Sequence, residues 1–387
     1  MNIANEIHNW TSTKLIIGNG FDLFCGLKTS YIDYFNDFSI RKSCIQGWTQ
    51  QFEKTIGLAM SFQPFSYWVD IPNTQNINVW DVLFTLLSIE NQSNGLSWCD
   101  VETRIANSLK TAESKKDKRL LNFENIYCFL SKKYEKRKIC RINDKYQYML
   151  TCFVYAKHNY SLFDNKTEYY DFLLDELKMF EKDFGKYIEK IHEESNSKNT
   201  VPNFKNNSQK ALEKICSINK LISVDTFNYD SPECDKISSV LHNINGDTSN
   251  PIFGIDSCFF ESTDERYIFT KISRRMNQGL FRLERKLVND FKNVIIFGCS
   301  LSEADFGYFF PILDKMEICN FEKDTKIAFA YCIYNQEKKD KIKRDLANGV
   351  AFLFEEYAKY KGYLKPGRLL DSLSVQGRVL FYQIKSL

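Results

Sequence analysis

The chain has 387 residues, 43% hydrophobic and 15% aromatic, with 32 Phe and 21 Tyr against 16 Gly and 7 Pro, which excludes a disordered polypeptide and predicts two or three packed domains. A formal net charge of +3 gives no electrostatic case for nucleic acid as an obligate partner, and no apolar run approaches the roughly 18 residues that a membrane span needs. The 12 cysteines are scattered without a C-x-x-C pair and no basic and apolar leader is visible, so the chain reads as soluble and cytoplasmic, with reduced thiols and no structural zinc.

The first element is the run Leu15-Ile16-Ile17, a buried strand that stops at Gly18-Asn19-Gly20, with Asp22 at the mouth of the turn. A strand ending in a glycine turn makes a crevice where main-chain amides can approach a phosphate or ribose. The signal is incomplete, because Gly-x-Gly-x-Asp lacks both the third glycine of the dinucleotide fingerprint and the Lys-Ser/Thr of a Walker loop. Leu23 to Phe38 is predicted as a helix bent at Thr29-Ser30, with Tyr31, Tyr34, Phe35 and Phe38 on its core face.

From about residue 40 to 215 the patterns are helical. Trp80 to Glu90 is one predicted helix, and Glu168 to Glu194 another, in which Leu173, Leu177, Phe180, Phe184, Tyr187 and Ile191 recur at helical steps. Within this region Trp98-Cys99-Asp100-Val101-Glu102 reads first as a helix cap with an acidic first turn. The basic runs Lys115 to Arg119 and Lys132 to Lys138 read as solvated faces. Ser195 to Lys210, rich in Asn, Ser and Lys around Pro202, reads as an exposed linker.

Strands then return. Leu221 to Val224 runs into the polar tip Asp225-Thr226-Phe227-Asn228-Tyr229-Asp230, and Val240 to Asp247 forms a second short strand with its own polar end. Pro251 to Asp256 is predicted as a third strand, followed by Tyr267-Ile268-Phe269 and a helix from about Leu280 to Phe291. Asn293 to Asp305 is the clearest strand, turn and helix start, with Ser302 as N-cap and Asp305 completing a short capping box. Cys299 in that turn lacks the second glycine of a nucleophile elbow and reads as packing. Lys326 to Tyr334 is a further strand, Gln336 to Ala347 a charged helix and Val379 to Ile384 a last strand.

Alternation of this kind predicts an α/β fold with a Rossmann-like, mostly parallel sheet whose strand tips share one site, interrupted by a large helical insertion. The boundaries read as 1–40 for the first strand, turn and helix, 41–214 for the insertion and 215–387 for the rest of the α/β core.

Six elements in order, Leu15 to Leu23, Gly26-Leu-Lys-Thr-Ser-Tyr31, Trp98-x-Asp100-x-Glu102, Thr226-Phe-Asn-Tyr229, Ile252-Phe-Gly-Ile-Asp256 and Ile296-Phe-Gly-x-Ser300-Leu-Ser-Glu-x-Asp305, resemble the bacteriophage abortive-infection AbiH family. That family is in turn distantly similar to sirtuin-like NAD-binding domains. Carried over residue by residue, the resemblance implies that Gly18, Asn19, Gly20, Phe21 and Asp22 line a pyrophosphate and ribose pocket, with Thr226 and Gly246 at neighbouring tips. Asn228 would hold the nicotinamide ribose or the attacking water, and Gly298, Ser300 and Asp305 would bound the adenosine side. Where sirtuin-like enzymes have His-Gly this chain has Asn245-Gly246, and an amide cannot serve as general base. The nearest imidazole, His242, falls on the opposite face of an extended strand from Asn245. The candidates for the chemistry are therefore Asn228, Asp22, His242 and Asn245, with Asp247 as another acid for the base role; a strand-end His242 held by backbone is an equal reading.

The expected activity is an antiphage effector that binds and hydrolyses NAD or a related nucleotide, with no cofactor required beyond NAD as ligand or substrate. The alternatives are a catalytically inactive nucleotide-sensing module and a toxin acting on nucleic acid. A homo-oligomer or an unidentified protein activator remains open as partner, and no membrane is expected.

Overall fold

The computed structural model describes residues 3–37, 39–56, 77–94, 101–110, 121–133, 145–197, 203–237, 240–278, 291–334 and 336–387. In chain order the first elements are α1 (Ile3–His8), β1 (Thr13–Ile17), α2 (Asn19–Cys25), α3 (Tyr31–Asp37), α4 (Ser39–Ile56), α5 (Val79–Asn94), α6 (Val101–Leu109), α7 (Phe123–Leu130) and α8 (Lys145–Lys157). Then come α9 (Lys166–Ser197), α10 (Phe204–Ile215), β2 (Leu221–Thr226), β3 (Leu241–Asn243), α11 (Lys271–Asn277), β4 (Asn293–Phe297), α12 (Phe306–Lys315), β5 (Lys326–Cys332), α13 (Lys339–Tyr360), α14 (Arg368–Val375) and β6 (Val379–Ile384). The chain divides into two compact units, one of Met1–Ser30, Phe184–Ile252 and Arg274–Leu387, the other of Tyr31–Asp183 and Phe253–Ser273.

The first unit holds a six-stranded sheet in the order β3-β2-β1-β4-β5-β6, with every pairing parallel. Parallel strands are covered on both faces, which is why β1 and β4 are buried along their whole length and apolar at residues 15–17 and 294–297. Alternate residues supply two cores. Ile16, Val294, Ile296, Ile327 and Phe329 pack with residues of α12, α13 and α14, while Leu15, Ile17, Val224, Ile295 and Phe297 pack with residues of α1, α2 and α10. The strand order reverses between β1 and β4, the topological switch of a doubly wound sheet.

The second unit is helical among its described residues. Its interior is aromatic: Phe84 and Phe180 lie 5.2 Å apart between ring centroids, Phe180 and Phe253 5.5 Å, and Trp80 and Phe123 4.9 Å. Several polar groups inside it are paired. Trp80 Nε1 donates to the Leu173 carbonyl at 2.9 Å, the Val79 amide donates to Glu176 Oε2 at 2.9 Å, and Lys271 Nζ pairs with Glu102 Oε2 at 2.9 Å. Of the Trp98 to Glu102 element, residues 98–100 lie outside the described residues; Val101 and Glu102 begin α6.

Several sequence expectations change. The helix predicted from Leu23 starts earlier, at Asn19, and breaks at Gly26, whose φ of 92° closes α2 with a left-handed cap; α3 then begins at Tyr31. The predicted linker from Ser195 is largely helix: α9 runs to Ser197, and Asn203 caps α10 by accepting the Asn206 amide at 3.0 Å. Its polar composition hid the stripe Phe204, Ala211, Leu212 and Ile215, all fully buried. Pro251 to Asp256 forms no strand, only an isolated bridge between Ile255 and Thr270. Its apolar residues are buried for packing, and the Phe253 amide is taken by Glu181 Oε1 at 2.7 Å instead of by a ladder. Tyr267-Ile268-Phe269 belongs to a 3-10 turn over Glu265–Phe269, and the helix predicted from Leu280 to Phe291 lies outside the described residues except for Phe291. Ser302 occupies an N-cap position, but its hydroxyl makes no cap bond; its carbonyl accepts the Asp305 amide at 3.1 Å. The charged helix expected to end near Ala347 continues to Tyr360, because Val350, Leu353, Phe354 and Tyr357 give its second half a buried stripe.

Candidate functional site

The sheet carries its polar turns at one end, the carboxyl ends of the parallel strands. Gly18 leaves β1 in an extended conformation and its amide donates to the Phe297 carbonyl at 3.0 Å, one step beyond the β1–β4 ladder. Gly20 N–H then donates to the Gly298 carbonyl at 2.9 Å, and Phe21 N–H turns back to the Gly18 carbonyl at 2.8 Å. Two turns thus cross in backbone contact. A methyl group on Gly18 would lie 2.7 Å from the Gly298 oxygen, one on Gly20 2.5 Å from Gly298 Cα, and one on Gly298 2.6 Å from the Phe21 nitrogen. These glycines are needed first for that crossing. The amides of Gly18, Gly20 and Phe21 are already engaged, and the Phe21 ring points into the core, fully buried and edge-on to Phe297 at 6.4 Å.

The β2 tip is tied to the same place. The Phe227 amide donates to the Ile17 carbonyl at 2.9 Å, the Asn228 amide to Thr226 Oγ1 at 3.0 Å, and Asn228 Nδ2 to the Gly18 carbonyl at 3.1 Å. Asn228 is buried, its side chain locked across the β1 turn. Thr29 Oγ1 donates to Asn19 Oδ1 and, at 3.2 Å, to Asp22 Oδ2, so the Gly26 to Ser30 loop closes over the first turn of α2. Asp22 is buried, and burial followed by the neighbouring Asp230 carboxyl pushes its pKa well up, with Thr29 and Asn228 opposing. Asp230 is also pushed up, chiefly by burial.

The β3 tip stands next in line. Asn245 Nδ2 donates to the Phe227 carbonyl at 3.3 Å, and Asn245 Oδ1 lies 3.4 Å from Arg275 Nη2. Gly246, at φ 82°, lets the chain reverse so that the Ile252 amide reaches the Asn245 carbonyl at 2.8 Å; a side chain at Gly246 would strike the Asn250 oxygen. Beyond β4, Gly298 has φ 72°, Ser300 is exposed and Asp305 is buried at the start of α12. Asp247 is exposed and folds onto its own turn, accepting from Ser249 and Asn250.

His242 is elsewhere. Its Nδ1 lies 3.0 Å from Asp225 Oδ1, inside the sheet face that α12 covers, where Lys14 and Tyr308 also hold Asp225. Both the imidazole and the carboxylate are buried, so the histidine is held by a side chain and not by backbone. The structure therefore brings Gly18, Gly20, Asp22, Asn228 and Gly298 together, puts Asn245 and Gly246 one strand away, and separates His242 from them all. Asp230 and Thr29 were not singled out by sequence reasoning; the only signal was a second acid at the β2 tip, since nothing local links residue 230 to residue 22.

Among the described residues no group of three or more His, Cys, Asp or Glu is placed to hold a metal ion, and no helix is long and apolar enough to cross a membrane. The family model for bacteriophage abortive infection AbiH matches residues 15–327, most of the chain. The chain belongs to the AbiH family. Its role is accordingly in phage abortive infection. The AbiH match opens within β1 and closes within β5, so it takes in every turn of the candidate site and leaves α13, α14 and β6 outside. No curated protein and no solved structure matches this AbiH chain.

Proposed function

We propose that this AbiH protein is a cytoplasmic abortive-infection effector that binds NAD or a related nucleotide at the carboxyl ends of β1, β2 and β4 and hydrolyses its N-glycosidic bond. The observation that carries the reading is the crossing of the Gly18 and Gly298 turns at the β1–β4 switch point, with Asn228 anchored to it. Switch points are where doubly wound sheets take nucleotides. Cleaving a glycosidic bond to nicotinamide develops oxocarbenium charge, which a fixed neutral amide and a nearby carboxyl stabilise without competing as nucleophiles. The sirtuin-like resemblance of the four turns supports the choice of NAD.

A sensing module that binds the nucleotide without cleaving it is the second reading, favoured by the withdrawal of His242 into the sheet and by Asn245 in the position of the expected base. Turnover separates the two. Purified protein incubated with NAD is expected to release nicotinamide, and Asn228→Ala is expected to slow release by about 100-fold or more. Binding by calorimetry without release would leave the sensor, and neither binding nor release would remove both.

A further inference from the structure

The first turn of α2 and the tip of β2 bring two carboxyl groups face to face. Asp22 is 1% exposed and Asp230 7%, and each carboxyl is near enough to act on the ionisation of the other. Thr29 donates to Asp22 Oδ2, yet Asp22 Oδ1 and Asp230 Oδ2 are buried without any donor. Two acceptors cannot satisfy one another as anions. Their other neighbours offer little relief: Asn228 is neutral, Cys25 is a thiol whose pKa burial pushes up, and His192 already sits 3.2 Å from Glu233 Oε1. In so dry a place, two like charges side by side are excluded, and the pair titrates as one unit.

We propose that Asp22 and Asp230 hold a single proton between them and that this dyad is the general base of the site. The proposal rests on the NAD reading for its substrate and deepens it by filling the role that Asn245 cannot take. In the hydrolysis, the C1′–N bond breaks with its electron pair passing to the nicotinamide nitrogen, and a water oxygen bonds to C1′. The proton of that water goes to the unprotonated oxygen of the dyad and then to solvent. The base is the ionised oxygen of the pair, and burial, which pushes both carboxyls up, makes it a better acceptor for a water proton than an ordinary carboxylate. Asp230, the less buried member, is the one to exchange with water. A divalent cation between the carboxyls would also satisfy both oxygens, but hard cations take six or more oxygen ligands and no third acidic, His or Cys ligand converges there among the described residues.

The test is a pH titration of the full chain carrying carboxyl-labelled aspartate, read by carbon NMR between pH 4 and 9, beside Asp22→Asn and Asp230→Asn. The expected result is one carboxylic-acid signal that persists above about pH 7 in the wild type and disappears in both variants. Aspartates that all ionise below about pH 5, or a stoichiometric divalent ion that survives dialysis, would overturn the proposal. Asp230→Asn is further expected to lower nicotinamide release by about 100-fold. A persistent acid signal in a protein that leaves NAD intact would sink the NAD reading and the base role with it, while the shared proton stands. An active protein without the signal would sink the dyad alone.

Discussion

Replacing Lys14 by Met is expected to destabilise the fold by about 3–5 kcal/mol at pH 7, measured by urea unfolding, because it strands a buried carboxylate. Lys14 and Asp225 are both fully buried on the α12 face of the sheet, on neighbouring strands β1 and β2. Lys14 Nζ donates to Asp225 Oδ2 and, at 2.8 Å, to Ser223 Oγ, which donates in turn to Asp225 Oδ1 at 2.8 Å; the Tyr308 hydroxyl donates to Oδ2. Burial pushes the Asp225 pKa up, but the bonds from His242, Lys14 and Tyr308 outweigh it and hold the group below the usual carboxylate value. Burial holds Lys14 below its usual value, with Asp225 opposing. A depressed carboxylate contributes stability that is present above its unfolded pKa, about 3.9, and is lost as pH falls through the folded one. The difference between wild type and Lys14→Met is therefore expected to be full near neutrality and to shrink below about pH 4. The double variant Lys14→Met with Asp225→Asn is expected to lose much less stability than the sum of the single losses, because it removes both charges. Equal differences at pH 7 and at pH 3 would show that only packing had been lost.

This network also marks how far the residues can be read without coordinates. Strands β1, β2, β4, β5 and β6 are legible as short apolar runs ended by polar or glycine residues, and α9 as a long periodic stripe, because each is specified by neighbours in sequence. The order β3-β2-β1-β4-β5-β6 is not local, and nor is the fact that residue 14 faces residue 225. A polar residue at a strand's end reads as a tip; Asp225 is instead one of the sheet's interior positions, in register with Ile16 and His242. Strand β3 ends at Asn243, so Asn245 lies beyond the reach of strand alternation, and it is Asp225 that explains where the imidazole goes. Polar composition misleads in the other direction at 203–210, where an asparagine cap opens a helix whose buried residues, Phe204 to Ile215, lie partly beyond the stretch that resembles a linker.

A methyl group at Gly20 is expected to lower stability by about 2–4 kcal/mol, and one at Gly298 by at least as much, although each adds a single carbon. Both glycines lie where the β1 and β4 turns cross. The Gly20 methyl would sit 2.5 Å from Gly298 Cα, backbone that cannot rotate aside, and Gly298 also has φ 72°, a conformation that costs any other residue. Relief requires the two turns to part, which would break the Gly20 to Gly298 hydrogen bond of 2.9 Å and move the Gly18 carbonyl that holds Asn228. Loss of stability and loss of nucleotide handling should therefore appear together in Gly20→Ala and Gly298→Ala. Gly47→Ala is the control: that glycine is exposed within α4 with open space around it, and alanine there is expected to stabilise by about 0.5–1 kcal/mol. If thermal unfolding ranked Gly20→Ala with Gly47→Ala, the close crossing would not exist in solution, and the anchoring of Asn228 that supports the site would lose its ground.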